Sequence, residues 1–172
     1  KIEATEDLSA VLSNLVSAAP NRPVIQTTPV VSSIVNDDSG AVTITSTDGS
    51  ETGPVSGTLT FSFPAGVTSD KSTTIRFALG GTASATDYPA PAPASVTIPA
   101  GDNSITISLP VTDDTVLEGT ETIVLTPGTV TGPYGVTVTN TSHTLNITDN
   151  DQATLVITGD TKPEGDAAGK AF

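Results

Sequence analysis

The stretch "DNSITISLPVTDDTVLEGTETIVL", residues 102–125, carries two kinds of information. Ile105, Ile107, Leu109 and Val111 fall at every second position. That is the period of a strand with one buried face. Ile123 and Leu125 resume the alternation further on. Between the two runs lie Asp113, Asp114, Glu118 and Glu121, four carboxylates within nine positions. Like charges so close repel, and burying them unpaired is costly. The stretch predicts two strands joined by an acidic knot, and it asks what the knot is for.

The same alternation extends in both directions. Val42 and Ile44 share a face, as do Leu59, Phe61 and Phe63, then Ile75, Phe77 and Leu79, then Val96 and Ile98. Beyond the knot and Ile123–Leu125, a last run holds Val136, Val138, Leu145 and Ile147. The runs are separated by spacers such as "TDGSETGP", "PAGVTSDKS" and "PAGDNS". The 31 threonines, with abundant valine and isoleucine, suit pleated strands, and 13 prolines and 15 glycines punctuate them. The pattern predicts an all-β domain: a seven-stranded antiparallel Greek-key β-sandwich of immunoglobulin-like type.

Charge narrows the partners. The net charge is −13, from 19 acids and six bases in 172 residues. This argues against nucleic acid and anionic membrane, and in favour of cations. Without cysteine there are neither disulfides nor thiolate metal sites. No run of 18 apolar residues is present, so no membrane-spanning helix is expected. The acidic N-terminal stretch does not read as a signal peptide. The expectation is a processed or excised piece of a larger protein.

The chain also repeats itself. "NDDSGAVTIT" begins at Asn36 and "DNDQATLVIT" at Asp149, 113 residues later. In this register Asp38 falls on Asp151, Val42 on Leu155, Ile44 on Ile157 and Glu51 on Glu164. A period near 113 residues suits one sandwich per repeat. Residues 36–151 are therefore expected to form the complete repeat. Residues 152–172 would begin a following repeat or serve as an assembly strand. Residues 1–35 would precede it. There Leu8, Val11, Leu12, Leu15 and Val16 have helical spacing, with acids at the N-terminal side, and predict a short amphipathic helix ended by "APNRP". Residues 24–35 would supply the last strand of a preceding element.

Three readings of the knot compete: a solvated acidic loop, a carboxylate pair for glycoside hydrolysis, and a calcium site. Hydrolysis needs a sugar cleft, usually lined by aromatics, and the chain has four phenylalanines, two tyrosines and no tryptophan. There is no Gly-x-Ser-x-Gly, and the single histidine, His143, alternates with Leu145 and Ile147 as a packing or edge residue. No catalytic residues are expected, and the chain reads as a non-enzyme. The positions of the other acids favour calcium. Strands reverse direction, so alternate connections gather at one end of a sandwich. Glu51, Asp87, the knot, Asp149 and Asp151 all lie in connections of one parity. Only Lys71 and Arg76 are basic within the repeat, so the converging acids need a counter-charge. Calcium takes six to eight hard oxygens and can draw them from several loops.

"TASATDY", then "TIPAGDNSITISLPVTDDTVLEGTET", then "NITDND" resembles the Calx-β domain, a family of sodium–calcium exchangers, an integrin chain and tandem arrays on bacterial surface proteins. The resemblance spans residues 39–151 and returns in "PEGD" of the following partial repeat. It implies calcium as cofactor, with ligands at Glu51, Asp87, Asp113, Asp114, Glu118, Asp149 and Asp151. Glu121 falls one position off that set and is expected to face solvent or lie behind the ligands. The chain departs from the family pattern at Glu51-Thr52-Gly53, where the glycine usually follows directly, at Thr115, where the knot usually has a third aspartate, and at Asn150. The implied function is a calcium-stabilised structural and adhesive repeat of a large extracellular or cell-surface protein, bacterial and secreted. The implied partners are neighbouring repeats or copies, with a surface ligand or glycan as a further candidate. The alternative is a self-assembling extracellular fibre subunit that adds its C-terminal strand to a neighbouring copy.

Overall fold

The computed structural model describes residues 1–13, 29–89, 94–132, 135–139 and 141–161. Eleven strands are found among the described residues: β1 (Glu6–Ala10), β2 (Val30–Ile34), β3 (Gly40–Thr47), β4 (Gly49–Ser50), β5 (Gly57–Ser62), β6 (Thr73–Gly81), β7 (Ser95–Ile98), β8 (Ser104–Leu109), β9 (Glu121–Thr131), β10 (Val136–Val138) and β11 (His143–Thr148). One sheet has the order β10-β3-β5-β8, the other β4-β11-β9-β6-β7. Pairs distant in sequence, such as β5 with β8 and β6 with β9, are the mark of Greek-key connections. The architecture is the expected all-β sandwich.

Alternation places the core. Val42, Ile44, Leu59 and Phe61 from one sheet are buried against Ile75, Ile98, Ile123, Leu125, Leu145 and Ile147 from the other. Phe61 and Phe77 stack across the two sheets with centroids 5.7 Å apart. Burying each such side chain stabilises by roughly 1.5–3 kcal/mol relative to leaving it exposed. On the outer faces threonines join across strands: Thr47 with Thr58 at 2.7 Å, Thr60 with Thr106 at 2.8 Å, Thr74 with Thr97 at 2.9 Å. The threonine content thus serves cross-strand pairing.

Three expectations are corrected. The last predicted run is two strands in different sheets. β10 pairs in parallel with β3, and β11 pairs with β9. The alternation changes phase between Val138 and Leu145, which a single strand cannot do. The sandwich is also not wholly antiparallel, because β4 runs parallel to β11. Finally, the N-terminal helix is absent over its described part. Glu6–Ala10 is a strand paired with Val30–Ile34, and Val11 and Leu12 follow it without helix. Leu15, Val16 and the "APNRP" stop lie outside the described residues, as does Glu164.

Candidate metal centre

Four connections meet at the end of the sandwich where β11 leaves. The first turns between β4 and β5. Ser50 and Val55 exchange backbone hydrogen bonds of 2.9 and 2.7 Å, and Glu51 N–H donates to the Thr148 carbonyl at 3.0 Å. Glu51 is thereby pinned beside the end of β11, only 2% exposed. The second follows β6. Gly81 has φ 118°, and a Cβ there would lie 2.1 Å from the Thr122 carbonyl oxygen. Only glycine allows that approach. It lays residues 82–88 against the start of β9, where Ala83 N–H donates to Thr122 at 3.0 Å. Asp87, also 2% exposed, is held there. Its carboxylate accepts from the Ser84 N–H and from the Thr86 hydroxyl.

The knot is the third connection. Thr112 N–H donates to the Asp87 carbonyl at 2.8 Å, and Asp114 Oδ1 caps the turn by accepting from Val116 N–H at 2.7 Å. Glu118 N–H donates to Asp149 Oδ2 at 2.7 Å. The fourth connection is the exit itself. Asp151 N–H donates to Asp149 Oδ1 at 2.7 Å, and the Asn150 amide donates to Asp113 Oδ1 at 3.1 Å.

Two groups of carboxylates result. Glu51, Asp149 and Asp151 offer oxygens within 4.8 Å of one another, and so do Asp87, Glu118 and Glu121. Two ligands on opposite sides of one calcium ion are at most about 5 Å apart, so each group can share an ion. Five of the seven ligands expected from the sequence fall into these groups. Asp113 and Asp114 stand at the rim, Asp113 exposed and bonded to Asn150. Glu121, expected to face solvent or lie behind the ligands, instead stands within the second group. It is partly buried, lies beside Asp87 and completes the second group. The signal was available: Glu121 has the parity of Ile123 and Leu125, whose side chains point inward.

The electrostatics are those of crowded acids. Burial and then the hydrogen bond to Asp87 push the Glu121 carboxyl up to about 7. Burial raises Glu51, with Asp149 adding to it, and burial raises Glu118 and Asp151, with neighbouring carboxylates adding to each. Asp87 is lowered: burial acts upward, but hydrogen bonds from Ser84, Glu121 and Thr86 outweigh it. Asp149 is lowered by the N–H groups of Asp151 and Glu118. Among the described residues the ion pairs join Lys1 to Glu3 and the N-terminus to Asp38, so no described cation neutralises either group.

The donor set suits a hard cation. Glu51 Oε2 and Asp151 Oδ2 are buried without a hydrogen-bond partner. Such oxygens are costly in an apo pocket and useful as metal ligands. Every candidate donor is an oxygen, the preference of calcium over zinc or copper. His143 takes no part. Its Nε2 lies 2.8 Å from Ser46 Oγ, away from the acids and across the two sheets.

No protein-family model matches the chain, and no curated protein does. Solved structures do. The apo-form Calx CBD1 domain superposes with a TM-score of 0.50 at 19% identity, covering 64% of this chain and 99% of that domain. CBD12 from CALX1.2 gives 0.47 at 22% identity, and the calcium binding domain CBD12 of CALX1.1 gives 0.46 at 18%. The chain spans 41% and 40% of those two. The sandwich is therefore Calx-β-like in fold.

Proposed function

From a Calx-β-like sandwich with two carboxylate groups at one end, we infer that this chain is a calcium-binding structural repeat. The observation that carries the reading is the pair of buried, unpartnered carboxylate oxygens on Glu51 and Asp151, set among acids with no described protein cation. Glu51, Asp149 and Asp151 would hold one ion and Asp87, Glu118 and Glu121 a second, with Asp113 and Asp114 closing the rim. Bound calcium would supply the counter-charge that the loops lack and lock four connections together. The module would serve as a stiff spacer and adhesive unit of a large extracellular or cell-surface protein. The near-113-residue repeat and the net charge of −13 support that use. Nothing in the site calls for chemistry on a substrate.

Thermal melting tests the calcium reading. A ligand at a hundredfold excess over Kd stabilises by about 2.7 kcal/mol. For a domain of this size that raises Tm by about 10 °C. Millimolar calcium is expected to give such a rise and chelator to remove it, with magnesium much less effective because it demands octahedral geometry and holds its water. Equal shifts with calcium and magnesium would mean mere screening of an acidic surface.

A second reading has one observation in its favour. Leu155, Val156 and Ile157 are 87%, 73% and 87% exposed, and they repeat the β3 sequence. Ala153–Thr158 of one copy would then add as a strand to another. Deleting residues 152–172 tests this: loss of concentration-dependent assembly supports it, and a chain that is monomeric before and after deletion rules it out.

A further inference from the structure

The strand pair β1–β2 is a second copy of β9–β11. Glu3-Ala4-Thr5-Glu6 repeats Glu118-Gly119-Thr120-Glu121, and Asn36-Asp37-Asp38 stands where Asp149-Asn150-Asp151 stands. The pairing registers agree residue for residue. Glu6 faces Ile34 as Glu121 faces Ile147, and Ala10 faces Val30 as Leu125 faces His143. The hydrogen bonds that close the turn agree too. Glu3 N–H donates to Asn36 Oδ1 at 3.4 Å, as Glu118 N–H donates to Asp149 at 2.7 Å. Asp38 N–H donates to Asn36 Oδ1 at 3.3 Å, as Asp151 N–H donates to Asp149 at 2.7 Å. Residues 1–13 and 29–38 thus match the closing segment of a repeat, and they sit on the sandwich that follows.

The seat is specific. In this alignment Ile2 is the equivalent of Leu117. Ile2 is 0% exposed and belongs to the core of the following sandwich. Its N–H donates to the Thr68 carbonyl at 2.9 Å, and Asp70 N–H donates back to its carbonyl at 3.1 Å. Its Cδ1 occupies the space a side chain at Gly40 would need, 2.5 Å from where that Cβ would lie. Leu117, by contrast, is 57% exposed at the tip of the knot. An aliphatic side chain that one copy buries fully and the other leaves in water indicates an absent socket.

We propose that Leu117 is the plug by which this repeat seats on a following copy of the same sandwich, as Ile2 already seats on this one. The occupant is the near end of that copy: its equivalent of Gly40, Phe63 and Thr68–Asp70. Ala153 stands where Gly40 stands, 113 residues on. The next junction therefore pairs leucine with alanine in place of isoleucine with glycine. Leucine is unbranched at Cβ, so its end can swing clear of the added methyl. The inference rests on the tandem-repeat part of the proposed function and not on calcium.

The pair can be built into the chain as it stands. Ile2→Leu with Gly40→Ala reproduces the Leu117–Ala153 junction. Hydrogen exchange at Asp70, whose N–H closes the seat, is expected to stay within about threefold of the parent in that double variant, and to accelerate at least about tenfold in Ile2→Asp. A double variant that exchanges like Ile2→Asp overturns the proposal. The second measurement uses the full chain extended beyond Phe172 by a second copy of residues 60–151, which completes the following repeat because Phe172 stands at the position of Leu59. The Leu117 amide is expected to exchange at least about tenfold more slowly there than in the unextended chain, and Leu117→Asp to remove the gain while leaving the unextended chain's Tm unchanged. Unchanged exchange at Leu117, or Leu117 already protected in a self-associating unextended chain, overturns it. Both measurements run in calcium and in chelator. Absence of a calcium shift in Tm would reject the calcium reading alone.

Discussion

Glu121 and Asp87 show how the crowded carboxylates cope with their own charge. Asp87 is held ionised by donors, and Glu121, pushed up to about 7 by burial and by Asp87 beside it, carries a proton below that value and ionises as pH rises through it. A carboxyl raised from its ordinary value of 4.5 stabilises the fold fully below that value, and the contribution is lost as pH rises through about 7. Glu51, Glu118 and Asp151 are raised and act in the same direction. The lowered Asp87 and Asp149 act oppositely, but lose their contribution only as pH falls below the ordinary aspartate range. Metal-free protein is therefore expected to lose stability between about pH 5 and about pH 8. Calcium competes with protons for these oxygens, so its stabilising shift should grow over the same window. Melts at several pH values, with calcium and with chelator, check both trends. Substitutions check the ligands. Glu118→Gln and Glu121→Gln are each expected to weaken calcium binding at least about tenfold, about 1.4 kcal/mol, by calorimetric titration. Asp102→Asn, in the β7–β8 connection at the other end, is expected to leave it unchanged.

Strands and loops divide the work between the two ends. At the site end the connections are held by backbone donors to carboxylates. At the far end the β5–β6 connection is braced by one side chain: the Asn103 amide donates to the carbonyls of Phe63, Pro64 and Val67 at 3.4, 2.9 and 2.8 Å. That connection forms the wall against which Ile2 lies. Asn103→Ala leaves these carbonyls short of a donor and is expected to cost about 1–3 kcal/mol in denaturant unfolding, with calcium affinity unchanged. Ile2→Ala is expected to cost about 2–5 kcal/mol, an ordinary figure for a buried aliphatic and a surprising one for a residue next to the chain's first. A loss near zero would mean that the N-terminal segment does not contribute to the core.

On the proposed tandem-repeat reading, the two ends would make a rod with a joint. The chain leaves the site at Asp151, and the sequence that matches β3 resumes at Ala153, so a following repeat would have no room for a flexible linker. Calcium at the exit would tie Asp149 and Asp151 to Glu51 and the knot, and the plug would hold the far side. Two complete repeats in tandem are expected to show a longer maximum dimension and a narrower shape distribution by small-angle scattering in calcium than in chelator. Glu118→Gln with Asp151→Asn should abolish that difference. Equal dimensions in both buffers would leave the fold standing and remove calcium as the stiffener of the joint.

Much of this is written in the order of residues. Alternation at Leu59–Phe63, Ile75–Leu79 and Ile105–Leu109 dictates strands because a half-buried strand needs period two, whatever it packs on. The 113-residue recurrence gives the repeat, and loop parity predicts that Glu51, Asp87, Glu118, Asp149 and Asp151 converge, since strands must reverse. Other features follow from contacts between distant residues. Leu8, Val11 and Leu12 fit a helix face equally well, and pairing with Val30–Ile34 made that segment a strand. Val136–Val138 joined β3 and His143–Thr148 joined β9 because each sheet had a free edge for its own half. The inward turn of Glu121 depends on Asp87 arriving beside it, which Gly81 allows. The burial of Ile2 and the exposure of Leu117 depend on whether a neighbouring sandwich is there to receive them, because a side chain's environment is a property of what packs on it and not of its own chemistry.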